Sequence, residues 1–252
     1  MIRARVPDAV CFRVTRYCNA RCGFCLAPND GNHPPEAVLV DRIDRLVDQG
    51  VRVLHFCGGE PTIHPALAAL LDHTRGRGAQ PRLTTNGIAV PDDLVDAIVR
   101  TDTAVKVSLH GRPEQHDALV GRAAFAPASG TVRRLRARGA AVSVQTTLVH
   151  GQLDALDFVA RYCREHRVRR LSILPFVPRG LGRDRPAEFG LTADERRTAR
   201  TAVARWRETL VGRVDVRWLD FGTRPVPVME ADGRFVLEGA REALARVLTA
   251  AG

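Results

Sequence analysis

Six times along the chain a short run of β-branched residues gives way to a longer stretch with apolar residues at helical spacing, and this alternation limits the possible folds more than any other feature. The predicted strands are Ala9–Thr15, Val51–Phe56, Pro81–Thr84, Ala104–Leu109, Ala141–Leu148 and Val168–Leu174. The predicted helices between them are Ala37–Gln49, Ala66–Arg77, Asp92–Arg100, Thr131–Arg138 and Leu153–His166, with Pro91 and Asp92 marking a helix start and Gly50 and Gly139 marking stops. Strands that recur with a helix between them pair in parallel, so the expected class is α/β: a partial (β/α)6 TIM-like barrel with a short C-terminal extension. Residues 1–185 form the predicted core. In 186–252 the pattern loosens into a helix at Thr192–Leu210, short strands at Val214–Leu219, Pro227–Met229 and Phe235–Leu237, and a closing helix at Ala240–Thr249. This segment is expected to close the open side of the barrel.

In such a barrel functional groups gather just past the C-terminal ends of the strands. The loop after the first strand carries Cys18, Cys22 and Cys25, three of only six cysteines in 252 residues. Sulfurs so spaced can converge on one inorganic centre if the loop curls once. The same spacing also lies on one helical face, but Asn19 and Gly23 are poor interior helix residues, which argues against a buried cysteine stripe. A structural zinc site would need a remote fourth ligand such as His33, His55 or Cys57. A [4Fe–4S] cube held by three thiolates keeps one iron open to another ligand. The N-terminal residues hold no apolar run of secretory length, and no segment reaches the 18 or more apolar residues of a membrane span, so a reducing cytoplasm is expected. The net charge is +10, with 38 basic residues of which Lys106 is the only lysine. Such a charge would suit a nucleic-acid protein, yet aromatic residues for base stacking make up only 5%. Arginine-rich coding explains the charge more simply.

The cysteine motif, with Phe24 before its last member, resembles the signature of the radical S-adenosylmethionine (radical SAM) superfamily. Gly58-Gly59-Glu60-Pro61 after the second strand, Thr84-Thr85-Asn86-Gly87 after the third and Ser108-Leu109-His110-Gly111 after the fourth each resemble a motif of that superfamily, in the same order. The resemblance covers roughly residues 9–180, and its molybdopterin-biosynthesis and viperin-like members are the nearest in pattern. It implies that Cys18, Cys22 and Cys25 hold a [4Fe–4S] cluster whose open iron is chelated by S-adenosylmethionine, and that reductive cleavage gives a 5′-deoxyadenosyl radical.

On that reading Gly58 and Gly59 let the second strand approach a ligand closely, and Glu60 suits the ammonium of the methionine moiety. Phe24, Thr85, Asn86, Ser108, Gln145 and Leu174 lie near the cofactor. Arg122, in Glu114–Arg122, pairs with the cofactor carboxylate. Cys57 and His110 are the candidate catalytic residues: Cys57 as a hydrogen-atom donor or a buried small thiol, His110 facing substrate or serving the structure. No cysteine follows Cys163, so a single cluster is expected. The leading expectation is hydrogen abstraction from a small biosynthetic molecule, with a reduced flavodoxin or ferredoxin as electron donor. The alternatives are an activating enzyme that installs a radical on a protein or peptide partner and, in another class, a basic zinc or RNA-binding module.

Overall fold

A computed structural model describes residues 7–27, 31–219 and 225–239, together with the backbone of Arg246–Val247. Seven strands run in parallel: β1 (Ala9–Thr15), β2 (Val53–Gly58), β3 (Gln80–Thr85), β4 (Ala104–Ser108), β5 (Val142–Leu148), β6 (Arg170–Pro175) and β7 (Asp215–Trp218). The helices between and after them are α1 (Glu36–Asp48), α2 (Leu67–Gly76), α3 (Asp92–Arg100), α4 (Pro113–Val120), α5 (Phe125–Ala137), α6 (Asp154–Glu165), α7 (Pro186–Phe189) and α8 (Ala193–Thr209). β8 (Val226–Met229) then pairs in parallel with β1, while β9 (Phe235–Glu238) and β10 (Arg246–Val247) add antiparallel strands outside it. The sheet order is β10-β9-β8-β1-β2-β3-β4-β5-β6-β7, and its two edges do not pair with each other.

Each predicted strand and helix of the core is present, with ends shifted by a few residues. α5 begins six residues earlier than predicted, at Phe125, despite Pro127. Pro127 lies in the first turn, where a backbone N–H has no intrahelical partner to lose. The short α4 was not predicted as a helix; Pro113 opens it and Gly121, at φ 75°, closes it in the left-handed region. α8 carries a reciprocal cap in which Thr192 Oγ1 accepts from Glu195 N at 3.1 Å and Glu195 Oε2 accepts from Thr192 N at 2.8 Å. The C-terminal strands lengthen the sheet at both edges, β7 beside β6 and β8 to β10 beside β1. The helix expected over Ala240–Thr249 lies outside the described residues except at Arg246–Val247, where the chain is strand β10 instead.

Alternation along the strands positions the site. In β1 the residues Val10, Phe12 and Val14 are buried on one face, while Cys11, Arg13 and Thr15 point to the other. Leu54 and Phe56 in β2, Val105 and Val107 in β4, and Leu171 and Ile173 in β6 continue the apolar face, which belongs to one core cluster together with Leu39, Leu70 and Leu135 of the helices. Phe12 and Phe56 meet edge to face at 5.6 Å; burying each such ring stabilises the fold by about 1.5–3 kcal/mol. The other face carries His55, Cys57, Thr84, Lys106, Ser108, Gln145 and Ser172. A parallel sheet buried against apolar groups on both sides reads as continuous hydrophobic runs; the polar alternation here marks an inner face that surrounds a lumen.

Candidate active site

The loop leaving β1 brings the three clustered cysteines over the mouth of this lumen, and backbone contacts from three sides hold it there. On the first side, Gly59 N donates to Thr15 O and Glu60 N to Tyr17 O, both at 2.8 Å. A Cβ on Gly58 would stand 2.2 Å from Thr15 O, and one on Gly59 2.1 Å from Tyr17 O. The two glycines therefore let β2 touch the backbone leaving β1, a role beside the close approach to a ligand expected from the sequence, and both also line the pocket. On the second side, Arg21 N donates to Val120 O at 2.9 Å and the exposed guanidinium of Arg122 donates to Asn19 O. On the third, Leu181 N donates to Cys25 O at 2.9 Å, from a 3-10 turn at Gly180–Gly182 after β6.

Cys18, Cys22 and Cys25 line one pocket of about 180 Å³ that opens to solvent. Their thiols are free. Burial pushes Cys18 up to about 11 and Cys22 up to about 12, and repulsion from neighbouring thiols of the triplet adds to both; burial also raises Cys25. Three soft thiols that repel one another as thiolates suit a cationic centre. Among the described residues no three His, Cys, Asp or Glu side chains converge on a point that would hold a single metal ion. The donor set, three thiols facing a shared pocket, fits a cluster that distributes its thiolate bonds over several irons.

The remaining walls come from the strand ends, as the barrel geometry requires. Cys57, Gly58, Gly59 and Glu60 contribute from β2, Thr85 and Asn86 from β3, Ser108 and His110 from β4, Gln145 from β5 and Leu174 from β6, with Phe24 from the cysteine loop. Glu60 is 1% exposed, and its carboxylate accepts four hydrogen bonds. Thr62 Oγ1 gives one at 2.8 Å, Thr85 Oγ1 one at 2.6 Å and Asn86 N one at 2.7 Å, with Thr62 N the fourth at 3.1 Å. Burial nevertheless holds Glu60 above the usual carboxylate range, with these bonds opposing it. A carboxylate fixed in this way is a ready partner for a cationic ligand group. Thr85 thus acts on the pocket through Glu60. Asn86 Nδ2 donates to Asn19 Oδ1 at 2.7 Å, tying β3 to the cysteine loop.

His110 is 5% exposed and packs edge-on against Phe24, with ring centres 5.0 Å apart. Its Nδ1 accepts from Thr147 N at 3.0 Å, and its backbone N donates to Nδ1 of His116 at 3.1 Å. Burial lowers His110 to about 3 and His116 to about 4, so both rings are neutral near pH 7. With Nδ1 accepting, each ring carries its hydrogen on Nε2, and His116 Nε2 is buried with no hydrogen-bond partner. His116 lines the pocket, as do Thr84, Thr147, Ala20, Leu26, Val120 and Val177. In the sequence it stands within the Glu114–Arg122 stretch, six residues after His110. Arg122 is the one predicted site residue that does not line the pocket; it lies at the rim, bonded to the cysteine loop.

A buried ion network spans the lumen's open side. Arg13 of β1 pairs with Glu230 and donates to both oxygens of Glu238 at 2.9 Å. Arg16 reaches the other oxygen of Glu230 at 2.5 Å. Arg179, in the loop after β6, donates to Glu238 at 2.8 Å and also bonds Gly239 O. The network therefore joins β1, the β8–β9 hairpin and the β6 side of the sheet.

A family model described as the Radical SAM superfamily matches residues 12–163. Among curated proteins, the mycofactocin maturase MftC of Mycobacterium tuberculosis (strain H37Rv) is 29% identical over 199 residues, covering 75% of this chain and 50% of its own length. The GTP 3′,8-cyclase of Chlorobaculum tepidum is 31% identical over 186 residues, covering 68% and 55%, and the PqqA peptide cyclase of Streptomyces rochei is 24% identical over 236 residues, covering 90% and 65%. The chain spans about half the length of the first of these relatives. Among solved structures, Streptococcus suis SuiB bound to precursor peptide SuiA aligns with a TM-score of 0.76 at 17% identity over 86% of this chain and 49% of its own. The structure of anSMEcpe with bound AdoMet and Cp18Cys peptide aligns with a TM-score of 0.78 at 15% identity over 93% and 74%. These likenesses show the fold.

Proposed function

The chain belongs to the radical SAM superfamily, and from that premise we propose that it abstracts hydrogen from a peptide held in the lumen, with Cys18, Cys22 and Cys25 as the cluster ligands. It is an enzyme of a superfamily that uses a [4Fe–4S] cluster and S-adenosylmethionine. When bound, that pair supplies a 5′-deoxyadenosyl radical by one-electron reductive cleavage. The observation that carries the reading is the single pocket in which the three thiols meet Glu60, Ser108 and Gln145 at the ends of adjacent parallel strands.

The protein's part is to bind, orient and exclude. Glu60, held by Thr62, Thr85 and Asn86, receives the ammonium of the methionine moiety as a charge-assisted pair. Ser108 and Gln145 offer polar atoms for the ribose or carboxylate, and Leu174 an apolar surface for the base. Phe24 and the neutral His110 wall the pocket with groups that carry no charge, which keeps the reacting space dry. Arg122 and Arg21, exposed beside the cysteine loop, form a basic rim suited to an acidic electron carrier such as a flavodoxin or ferredoxin. No helix among the described residues is long and apolar enough to cross a membrane.

The peptide reading replaces the small molecule favoured by the motif pattern alone, because the match to a peptide cyclase runs along 90% of this chain. The small-molecule reading keeps one support, the 31% identity to a GTP cyclase. Anaerobic cluster reconstitution followed by reduction with dithionite and S-adenosylmethionine tests the chemistry: 5′-deoxyadenosine should form, and Cys18→Ala should abolish it. Adding a library of synthetic peptides, or GTP, then tests the substrate class. Stimulation by GTP and by no peptide would refute the peptide reading.

A further inference from the structure

Below the cluster-side wall of the pocket lies a second thiol pair that the binding of cluster and cofactor leaves unused. Cys57 is next to last in β2 and lines the pocket. Cys11, on the neighbouring strand β1, points to the same inner face, one position diagonal from it, since Cys11 is level with His55 and Arg13 with Cys57. The two thiols lie close enough to shift each other's acidity, Cys11 down and Cys57 up. Both thiols are free and half-buried. Lys106, the chain's only lysine, stands on the inner face of β4 within electrostatic reach of both.

Resting on the superfamily chemistry above, we propose that Cys57 gives its thiol hydrogen atom to the carbon radical left on the substrate, with Cys11 as the positioning residue that holds the Cys57 side chain. A hydrogen-atom donor must reach the pocket, must carry a weak bond to hydrogen and must keep its proton until the radical forms. Cys57 lines the pocket. Its bond is S–H, whereas the other hydrogen-bearing polar groups on the same wall, at Thr84, Ser108 and Gln145, are O–H and N–H. The neighbouring Cys11 thiol and then burial hold Cys57 well above the usual thiol range, so it stays a thiol at neutral pH while Cys11 is held lower. The step balances as follows. The substrate loses a hydrogen atom to the cofactor-derived radical, the substrate radical takes one from Cys57, and the S–H bond breaks to leave a thiyl radical. One electron from the low-potential carrier that already feeds the cluster, with one proton, restores the thiol. The net result is a substrate carbon whose hydrogen has been replaced, the outcome required for inversion of a stereocentre.

The test needs no substrate. Cluster-loaded protein is reduced with dithionite in D2O with S-adenosylmethionine alone, where the exchangeable S–D of Cys57 is available to quench the pocket radical, and the 5′-deoxyadenosine formed is weighed by mass spectrometry. The wild type should give product heavier by one mass unit, Cys57→Ala and Cys57→Ser unlabelled product, and Cys163→Ala, a buried cysteine of α6, labelled product. The labelled fraction is read per molecule formed, so a change in yield does not blur it. Unlabelled product from the wild type, or label kept in both Cys57 variants, overturns the proposal. A wild type that forms no 5′-deoxyadenosine overturns the radical chemistry beneath it, a distinct result.

Discussion

Gly59→Ala tests whether the cysteine loop is held by contact between backbones. The new Cβ would stand 2.1 Å from Tyr17 O and 2.7 Å from Arg16 O, and these are backbone atoms that cannot rotate away. Ordinary contact begins at 3.4 Å, so β2 and the loop must part by more than 1 Å. That separation takes the Gly59–Thr15 and Glu60–Tyr17 hydrogen bonds, each 2.8 Å, out of bonding range. Two lost bonds at about 1 kcal/mol each and strain of about 1–3 kcal/mol give a destabilisation of about 3–5 kcal/mol. For a domain of this size that is a fall in melting temperature of roughly 10 °C. Calorimetry on cluster-free protein reads it directly, and iron content after reconstitution should fall with it because the thiols move with the loop. Gly76→Ala is the control: nothing lies within 4 Å of its would-be Cβ, and it should melt at or slightly above the wild-type temperature. A Gly59→Ala protein that melts within 2 °C of wild type and binds its full iron would refute the argument.

Replacing Cys18, Cys22 or Cys25 singly with alanine should reduce bound iron from about four atoms per chain to near zero, read by iron assay and loss of visible absorbance. Acid should weaken the cluster-free fold. His55 and His110 at about 3 and His116 at about 4 stay neutral when folded but protonate near 6.5 when unfolded, so their stability is present above pH 6.5 and drains away as pH falls toward 4. Glu60, raised in the fold, acts in the opposite sense, favouring the fold below its ordinary value of 4.5 and losing that benefit as pH rises; the three histidines, with His64 lowered by burial as well, outweigh it. Urea midpoints that stay flat from pH 6.5 to 4.5 would contradict this. Arg179→Met should leave Glu238 buried with one fewer partner and cost about 3 kcal/mol, read by urea melts and by faster amide exchange in β9.

The core strands were legible because their outward faces are almost purely apolar and their ends carry Gly, Asn and Ser, so both period and punctuation were present in the sequence. The pocket followed from them: chemistry placed just past parallel strand ends must meet in space. What could not be read depended on distant partners. Nothing local in Val226–Met229 says that it will lie beside β1, and Arg13 and Glu238 stand 225 residues apart. At Gly58 and Gly59 the sequence shows that side chains are missing without showing that the backbone leaving β1 fills the space. Arg122 was assigned to the cofactor by its motif, yet it binds a loop carbonyl, a role a neutral donor could share. His116 lies within the Glu114–Arg122 stretch, but only the fold of α4 shows it buried with Leu119 and Val120.

The Arg13–Glu238–Arg179 chain has a mechanical side. Elsewhere around the lumen neighbouring strands are stitched by ladders of backbone bonds, which come apart only by unfolding. Between β9 and the loop after β6 the described fastening is the Arg179 side chain on Glu238 and Gly239 O. Opening that seam would take the rotation of one arginine and the loss of no backbone ladder. A long polymer whose two ends lie outside the protein cannot thread a closed ring, but it can be laid sideways through a slit of this kind.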